Sequence, residues 1–514
     1  MNHKLLSRSF LLSDLAILSY LALLKFLAQW LTGNAYGYFR DELYYLAASH
    51  HLALGYVDYP LFIAWLTAFV RTTLGDSLLA LHFFPALAGA LVVLLAGLMA
   101  RELGGGRLAQ VLAATAALLA PIFLAQNSML TMDSFDELWW VLGMFIMLKI
   151  FKHDRPQGWL WFGLVAGLGL LTKVTIVYLG AALVLSLLLT PARKYLLSKW
   201  LWLGGVIAFL FLSPYLIWQA QNGWPTLEFW RTYATAKTYP VTPLEFLLQQ
   251  AAIIGPVAFP LALVGVLALL FAPALKPYRV FGWMYLLLFG LFAFQQAKNY
   301  FLAAAYPICF AAGAVMLERL TQGPRWRWLR PAYLALLIVS GILTAPLALP
   351  VLPIENFIAY ASPLGGDAGV QVERLDTGHL PQHFADRFGW PELAETVEQV
   401  YQQLPPEEQA RACLFTSNYG EAGALEFFGR GRLPRVISGH NSYHLWGPQG
   451  CDGSVMIIVG GEQAEIEAFF AEVEPAALTQ CRYCMPYENE RSIFVVRRPQ
   501  MTLAQVWPQV KHFD

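Results

Sequence analysis

Apolar runs of about 20 residues recur through the first 352 positions, separated by short polar connections, and runs of that length and composition form helices that cross a bilayer. The pattern predicts eleven spans, at 10–31, 78–100, 108–127, 134–151, 157–172, 174–190, 200–218, 247–271, 280–296, 300–317 and 332–352. Between the first two lie GYFRDELYYLAASHHLALGYVDYP (37–60) and PLFIAWLTAFVRTTLG (60–75). Arg71 and the shortness of the second piece predict a helix lying along the interface. From about Pro353 the spans stop and charges become frequent. Short apolar strands then alternate with helical patterns: CLFTS (413–417), a helix through EAGALEFFG, RVIS, SVMIIVGG (454–461), a helix EQAEIEAFFAEV, and SIFVV (492–496). The predicted fold class is a polytopic α-helical membrane domain at 1–352, with juxtamembrane helices in its first outer loop, followed by a small α/β domain at 353–514.

Composition agrees with a membrane protein: 57% of residues are hydrophobic and only 13% are charged. A formal net charge of zero gives no case for nucleic acid as a partner. The placement of charge is more informative. With a cytoplasmic N-terminus, the inner segments hold Lys4, Arg8, Arg101, Arg107, Lys149, Lys152, Arg155, Arg193, Lys194, Lys199, Lys276, Arg279, Arg319, Arg325, Arg327 and Arg330. The outer ones hold only Arg40, Arg71, Lys173, Arg231, Lys237 and Lys298, which is the positive-inside bias. The opening MNHKLLSRSF leads into a run too long for a signal peptide, without a small-residue cleavage site, and reads as a retained anchor. An odd span count places 353–514 outside. Cys413, Cys451, Cys481 and Cys484 lie there and allow three disulfide pairings. Cys481-Arg-Tyr-Cys484 also has the form of a redox or metal pair, but structural cysteines are favoured because no second CxxC or His pair accompanies it. Cys309 reads as a core residue of a span.

The same topology gathers polar side chains on the outer face: Asp41, Glu42 and Asp58; Asp133 and Asp136; Lys173; Asn222, Arg231, Lys237 and Tyr239; Lys298 and Tyr300. Carboxylates can act as a general base, and cations can hold a phosphate. Together they suit a lipid-linked sugar, whose phosphate sits at the membrane edge. A lone acidic residue after a span is often only a solvated end. Asp14 and Lys25 read as a local pair or as snorkelling side chains, and Trp139, Trp140, Trp159 and Trp161 as an aromatic belt. His50 and His51 are adjacent and cannot share a helix face, so a divalent metal is possible near the acidic cluster but has no His-rich ligand set behind it; no cofactor is required. HNSYHLWGPQG (440–450) is a turn-rich stretch in which Tyr443 and Trp446 could meet a carbohydrate.

Over roughly residues 30–320 the sequence resembles the C-type integral-membrane glycosyltransferases (GT-C fold), in the bacterial branch related to protein O-mannosyltransferases and lipid A aminoarabinose transferases. The resemblance rests on the Asp41-Glu42 pair, YVDYPLFIAW, MARELGGGR, MLTMDSFDELWWVLGMF, GLGLLTKVT and KNYFLAAAYPICFAAGA, taken in order. It implies transfer of a sugar from a polyprenyl-phosphate donor to a lipid, glycan or protein acceptor of the envelope, at the outer face of the bacterial inner membrane, with inversion. It also implies Asp41 as base, with Glu42 and Asp133 shaping the same catalytic site. One departure matters: Tyr44 and Tyr59 stand where the aminoarabinose transferases carry phosphate-holding cations. Arg40, Lys173 and Lys298 are then the candidates for the donor phosphate, and Tyr44, Asp58, Tyr59 and Tyr300 line the site. The donor sugar stays open. The alternative from another class is a transporter or flippase of lipid-linked sugars, but no inverted repeat or broken helices supports it.

Overall fold

The computed structural model describes residues 13–236, 240–364, 376 and 378–514; Lys4, Arg8, Lys237 and Tyr239 lie outside them. The chain divides into two compact units, one formed by Met1–Ala35, Leu81–Leu216 and Tyr239–Pro353, the other by Tyr36–Ala80, Ile217–Thr238 and Ile354–Asp514.

The first unit is helical. Among the described residues six helices are long and apolar enough to cross a membrane: Asp14–Thr32, Leu78–Glu102, Lys199–Gln221, Pro273–Phe294, Asn299–Leu320 and Pro324–Leu347. Two further pairs, Ile176–Leu188 with Pro191–Leu197 and Pro243–Ile254 with Ala258–Phe271, are each bent by 116° at a short break, giving up to eight and correcting the expectation that no helix is broken. The other expected stretches hold the shorter apolar helices Arg107–Leu119 and Gly158–Thr172, and Met132–His153, which carries Asp133, Asp136 and Glu137 in its first two turns. The chain is an integral membrane protein by this measure.

Glycine lets these helices close on one another. A Cβ on Gly265 would lie 1.9 Å from the Cys309 carbonyl oxygen, and one on Gly313 would lie 2.0 Å from that of Leu261. The backbones of Ala258–Phe271 and Tyr306–Leu320 therefore touch, the small-residue contact expected where apolar lipid gives helices little reason to associate. Cys309 is fully buried at this contact, as expected. Lys25 does not snorkel. It is 1% exposed and donates to the Leu118 carbonyl at 3.2 Å, while Gln29 donates to that of Phe123 at 2.8 Å. The helix from Arg107 ends at Leu119 because Pro121 follows the extended Ala120, and the break leaves carbonyls for these side chains to satisfy. Trp140 and Trp159 are buried rather than part of a belt, whereas Trp161 is exposed.

The second unit contains a five-stranded sheet: β1 (Cys413–Thr416), β2 (Val436–Ser438), β3 (Val455–Val459), β4 (Phe470–Leu478) and β5 (Ser492–Pro499), in the order β2-β1-β3-β5-β4. β1 runs parallel to β2 and β3, and β5 runs antiparallel to β3 and β4. Ile437, Met456, Ile458, Phe494 and Val496 build one core layer. A disulfide joins Cys413 to Cys451, resolving one of the three possible pairings, while Cys481 and Cys484 are free. The expected helix at 462–473 is only Gln463–Ile466. Its last four residues, 470–473, belong to β4, an edge strand that tolerates Pro475, because pairing with β5 and packing of Phe470 and Val473 outweigh the helix propensity of its Ala and Glu residues. Tyr443 is fully buried and cannot present itself to a sugar.

Two short helices of the opening stretch, Arg40–Ala48 and Phe62–Thr73, belong to this unit. The first packs on Tyr419–Phe428: a Cβ on Gly423 would sit 2.6 Å from the Leu43 carbonyl oxygen, and one on Gly420 would sit 2.5 Å from Arg40 Cγ. The GYVDY turn is fixed by its backbone. Val57 N–H donates to Ser442 Oγ at 3.2 Å, and its carbonyl accepts from Thr226 Oγ1 at 2.6 Å.

Candidate active site

The ten expected site residues fall into two groups, one within each unit. In the second unit Arg40, Asp41 and Glu42 open a helix capped at Phe39. Glu42 is fully buried, and its Oε2 accepts the Phe39 amide hydrogen at 2.8 Å, so it fixes the first turn. Asp41 is directed differently. Its carboxylate keeps 28% of its side-chain surface open, with Oδ1 held by the Tyr419 hydroxyl at 2.9 Å and 3.7 Å from Arg40 Nε. Burial pushes the Tyr419 hydroxyl well above the usual tyrosine range, so it remains a donor toward Asp41.

Arg40 is itself held. Nη1 donates to the Tyr487 hydroxyl and lies 4.0 Å from Asp386 Oδ1, and its guanidinium rests 5.4 Å from the centre of the Tyr419 ring. Its Nε is buried without a hydrogen-bond partner among the described residues. Tyr44 and Tyr59 are 1% and 0% exposed, so they serve as the interior of an aromatic stack rather than as an open lining. Tyr44 stacks on Tyr419 at 4.5 Å, and Tyr59 meets Tyr44 edge-on at 5.5 Å. The Tyr44 hydroxyl donates to Asp58 Oδ1 at 3.1 Å and accepts the Ser442 amide hydrogen at 3.1 Å.

The first unit holds Asp133, Lys173, Lys298 and Tyr300. Lys173 Nζ donates to Asp133 Oδ1 at 2.5 Å and lies over the Phe301 and Tyr300 rings at 4.6 and 5.3 Å. Lys298 Nζ lies 5.7 Å from the Tyr300 ring centre, so all four share one neighbourhood. Asp133 stands in the first turn of its helix, where the helix dipole favours a carboxylate. Asp136 accepts from Thr175 Oγ1 at 2.8 Å and from Trp140 Nε1 at 3.1 Å.

Sequence reasoning missed Tyr419, Tyr487 and Asp386, which orient Asp41 and Arg40. Only Asn418-Tyr-Gly-Glu421, a readable capping box, marks their region. His50 is engaged by Arg71 Nη1 at 2.7 Å, and His51 stacks on Trp446 at 4.3 Å. His440, His512 and Asp514 lie close enough to share a metal ion. However, His440 Nδ1 accepts the Tyr419 amide hydrogen at 3.2 Å, which leaves the ring proton on Nε2, 3.0 Å from the Asp514 carbonyl oxygen; this donor set fits a hydrogen-bonded cluster better than a metal.

Residues 58–218 match the family model of dolichyl-phosphate-mannose-protein mannosyltransferases. No curated protein sequence matches the chain significantly. Among solved structures, ArnT from Cupriavidus metallidurans bound to undecaprenyl phosphate superposes with a TM-score of 0.64 at 18% identity, covering 93% of this chain and 97% of that one. Its apo form gives 0.63 at 17% over the same shares. The apo oligosaccharyltransferase of Archaeoglobus fulgidus gives 0.49 at 14%, over 84% of this chain and 65% of that one. The chain thus shares the fold of ArnT from Cupriavidus metallidurans, and its residues 58–218 resemble the mannosyltransferase family.

Proposed function

We propose that this protein transfers a sugar from a polyprenyl-phosphate-linked donor to an acceptor of the bacterial envelope, at the outer face of the inner membrane. The observation that carries the proposal is Asp41: a partly open carboxylate at a helix start, aimed by Tyr419 and flanked by the half-buried Arg40. The fold likeness to a protein bound to undecaprenyl phosphate supports the donor class. In the proposed reaction the acceptor oxygen attacks the anomeric carbon opposite the phosphate. Asp41 takes the acceptor proton, the sugar–phosphate bond breaks, and polyprenyl phosphate leaves with inversion. Phosphate leaves well without a general acid, so orientation and charge supply most of the rate. Arg40 is the proposed phosphate holder beside Asp41; in the other unit Lys173 and Lys298 are candidates for the same role, and Asp133 orients Lys173. Glu42 acts by fixing the helix that carries Asp41.

The positive-inside bias supports eleven spans, a cytoplasmic N-terminus and an extracytoplasmic segment 353–514. Asp41→Asn tests the base. Transfer from a radiolabelled polyprenyl-phosphate sugar should fall by about 10²–10⁴-fold, the range of general-base contributions, with unchanged membrane insertion and melting. Near-normal transfer by this variant removes Asp41 from the role. Donor that crosses the bilayer uncleaved by the wild-type protein makes it a flippase instead.

A further inference from the structure

Unit two holds a disulfide and, within the same unit, a pair of thiols. Cys481 and Cys484 are separated by Arg482 and Tyr483 in a tight turn. The Cys484 amide donates to Cys481 Sγ at 3.1 Å, and the Cys484 thiol donates to the Cys481 carbonyl oxygen at 3.4 Å. Cys484 is buried and Cys481 half-buried. Gly389, in a left-handed conformation at φ +92°, passes directly over them: a Cβ there would lie 3.0 Å from Cys481 Sγ and 3.4 Å from the Cβ atoms of both cysteines. Gly389 also caps the Trp390–Gln403 helix, so Cys481 Sγ lies beside the positive end of that helix. The Cys484 side chain beside it draws the Cys481 thiol down to about 7 against the opposing effect of burial, and the same pairing together with burial raises that of Cys484.

We propose that Cys481 and Cys484 form a thiol–disulfide exchange site, with Cys481 attacking and Cys484 resolving, whose co-substrate is a small anionic disulfide of the glutathione type. The half-buried Cys481 and the exposed Arg482 beside it favour a small negatively charged partner. The Cys481 thiolate attacks one sulfur of the external disulfide, forming a mixed disulfide and releasing one external thiolate. Cys484 passes its proton to the first released thiolate and attacks Cys481 Sγ, closing the internal disulfide and releasing the second thiolate, which takes a proton from water. Two electrons pass to the external disulfide, which leaves as two thiols. The site does not depend on the transfer reaction, although its loop continues into Tyr487, the partner of Arg40, and Glu488, whose Oε1 accepts from Asn418 Nδ2 at 3.0 Å.

The experiment uses the full-length detergent-solubilised protein equilibrated in reduced and oxidised glutathione buffers. Free thiols are trapped with one maleimide, the disulfides reduced and labelled with a heavier one, and the peptides weighed. The expected result is a single two-electron transition for Cys481–Cys484 at a potential where Cys413–Cys451 stays oxidised. Cys484→Ser should then accumulate one glutathione on Cys481, and Cys481→Ser should accumulate little on Cys484. A pair that stays oxidised alongside Cys413–Cys451 at every potential is a structural disulfide and overturns the proposal, as does a pair that stays reduced throughout. Equal or reversed glutathione loading in the two serine variants overturns the assignment of attacker and resolver. The wild-type titration stands even where a serine variant folds poorly.

Discussion

Tyr419 reaches Asp41 with its hydroxyl while its ring stays stacked on Tyr44. Tyr419→Phe therefore removes one hydrogen bond and keeps the packing. A bond to a charged group contributes about 1.5–3 kcal/mol, so kcat/KM for sugar transfer should fall roughly ten- to hundredfold with little change in melting temperature. A second expectation concerns Glu488, which is buried beside Glu421; burial first and that neighbour second raise its carboxyl to about 8. The folded state then binds a proton that the unfolded chain releases near its ordinary 4.5. Stability should fall as pH rises across the window from about 4.5 to 8, and thermal melts of Glu488→Gln should lose that slope. Asp41 stands out as a candidate in the sequence because an adjacent acidic pair at a span end is unusual and sits within an ordered set of motifs. Its partner does not, because Tyr419 lies 378 positions away and no local periodicity links the two. Tyr44 and Tyr59 were read as lining residues on position alone, whereas burial turns them into the packing that aims Tyr419.

The Arg40–Ala48 helix sits on Tyr419–Phe428 through Gly420 and Gly423. Gly423→Val forces a side chain into the Leu43 backbone, and overpacking of this kind costs about 1–3 kcal/mol, more than the modest gain in helix propensity returns. The expected outcome is a lowered melting temperature together with lost transfer, read by thermal unfolding and by the same radiolabel assay. Elements of this kind were unevenly readable. Long apolar runs announced the membrane helices because their composition alone satisfies the bilayer, and β1, β2, β3 and β5 stood out as short apolar runs bounded by turns. β4 was hidden because FAEVEPAAL carries helix-forming residues, and its strand state exists only through the ladder from Phe470 to Leu478 against β5. The breaks at 116° were equally hidden, since hydropathy records length and not direction.

For the whole molecule, the charge asymmetry yields a topological expectation. A reporter active only outside the cytoplasm should be active when fused after Asp514 and inactive when fused after His153. The reverse pattern would invert the proposed orientation and move Asp41 to the cytoplasmic face. The second unit is drawn from three separate stretches of chain, with Arg40–Ala48 in the first and Tyr419–Phe428 in the last. A ribosome adds about 5–20 residues each second, so the roughly 370 residues between these helices take about 20–75 s to make. For that interval Asp41 has no Tyr419, and Arg40 no Tyr487, to meet. The newborn protein therefore makes most of its apolar helices before its acidic pair is seated, and a nonsense mutation between Pro353 and Tyr419 would leave those helices with an Arg40–Ala48 helix that never meets Tyr419 or Tyr487.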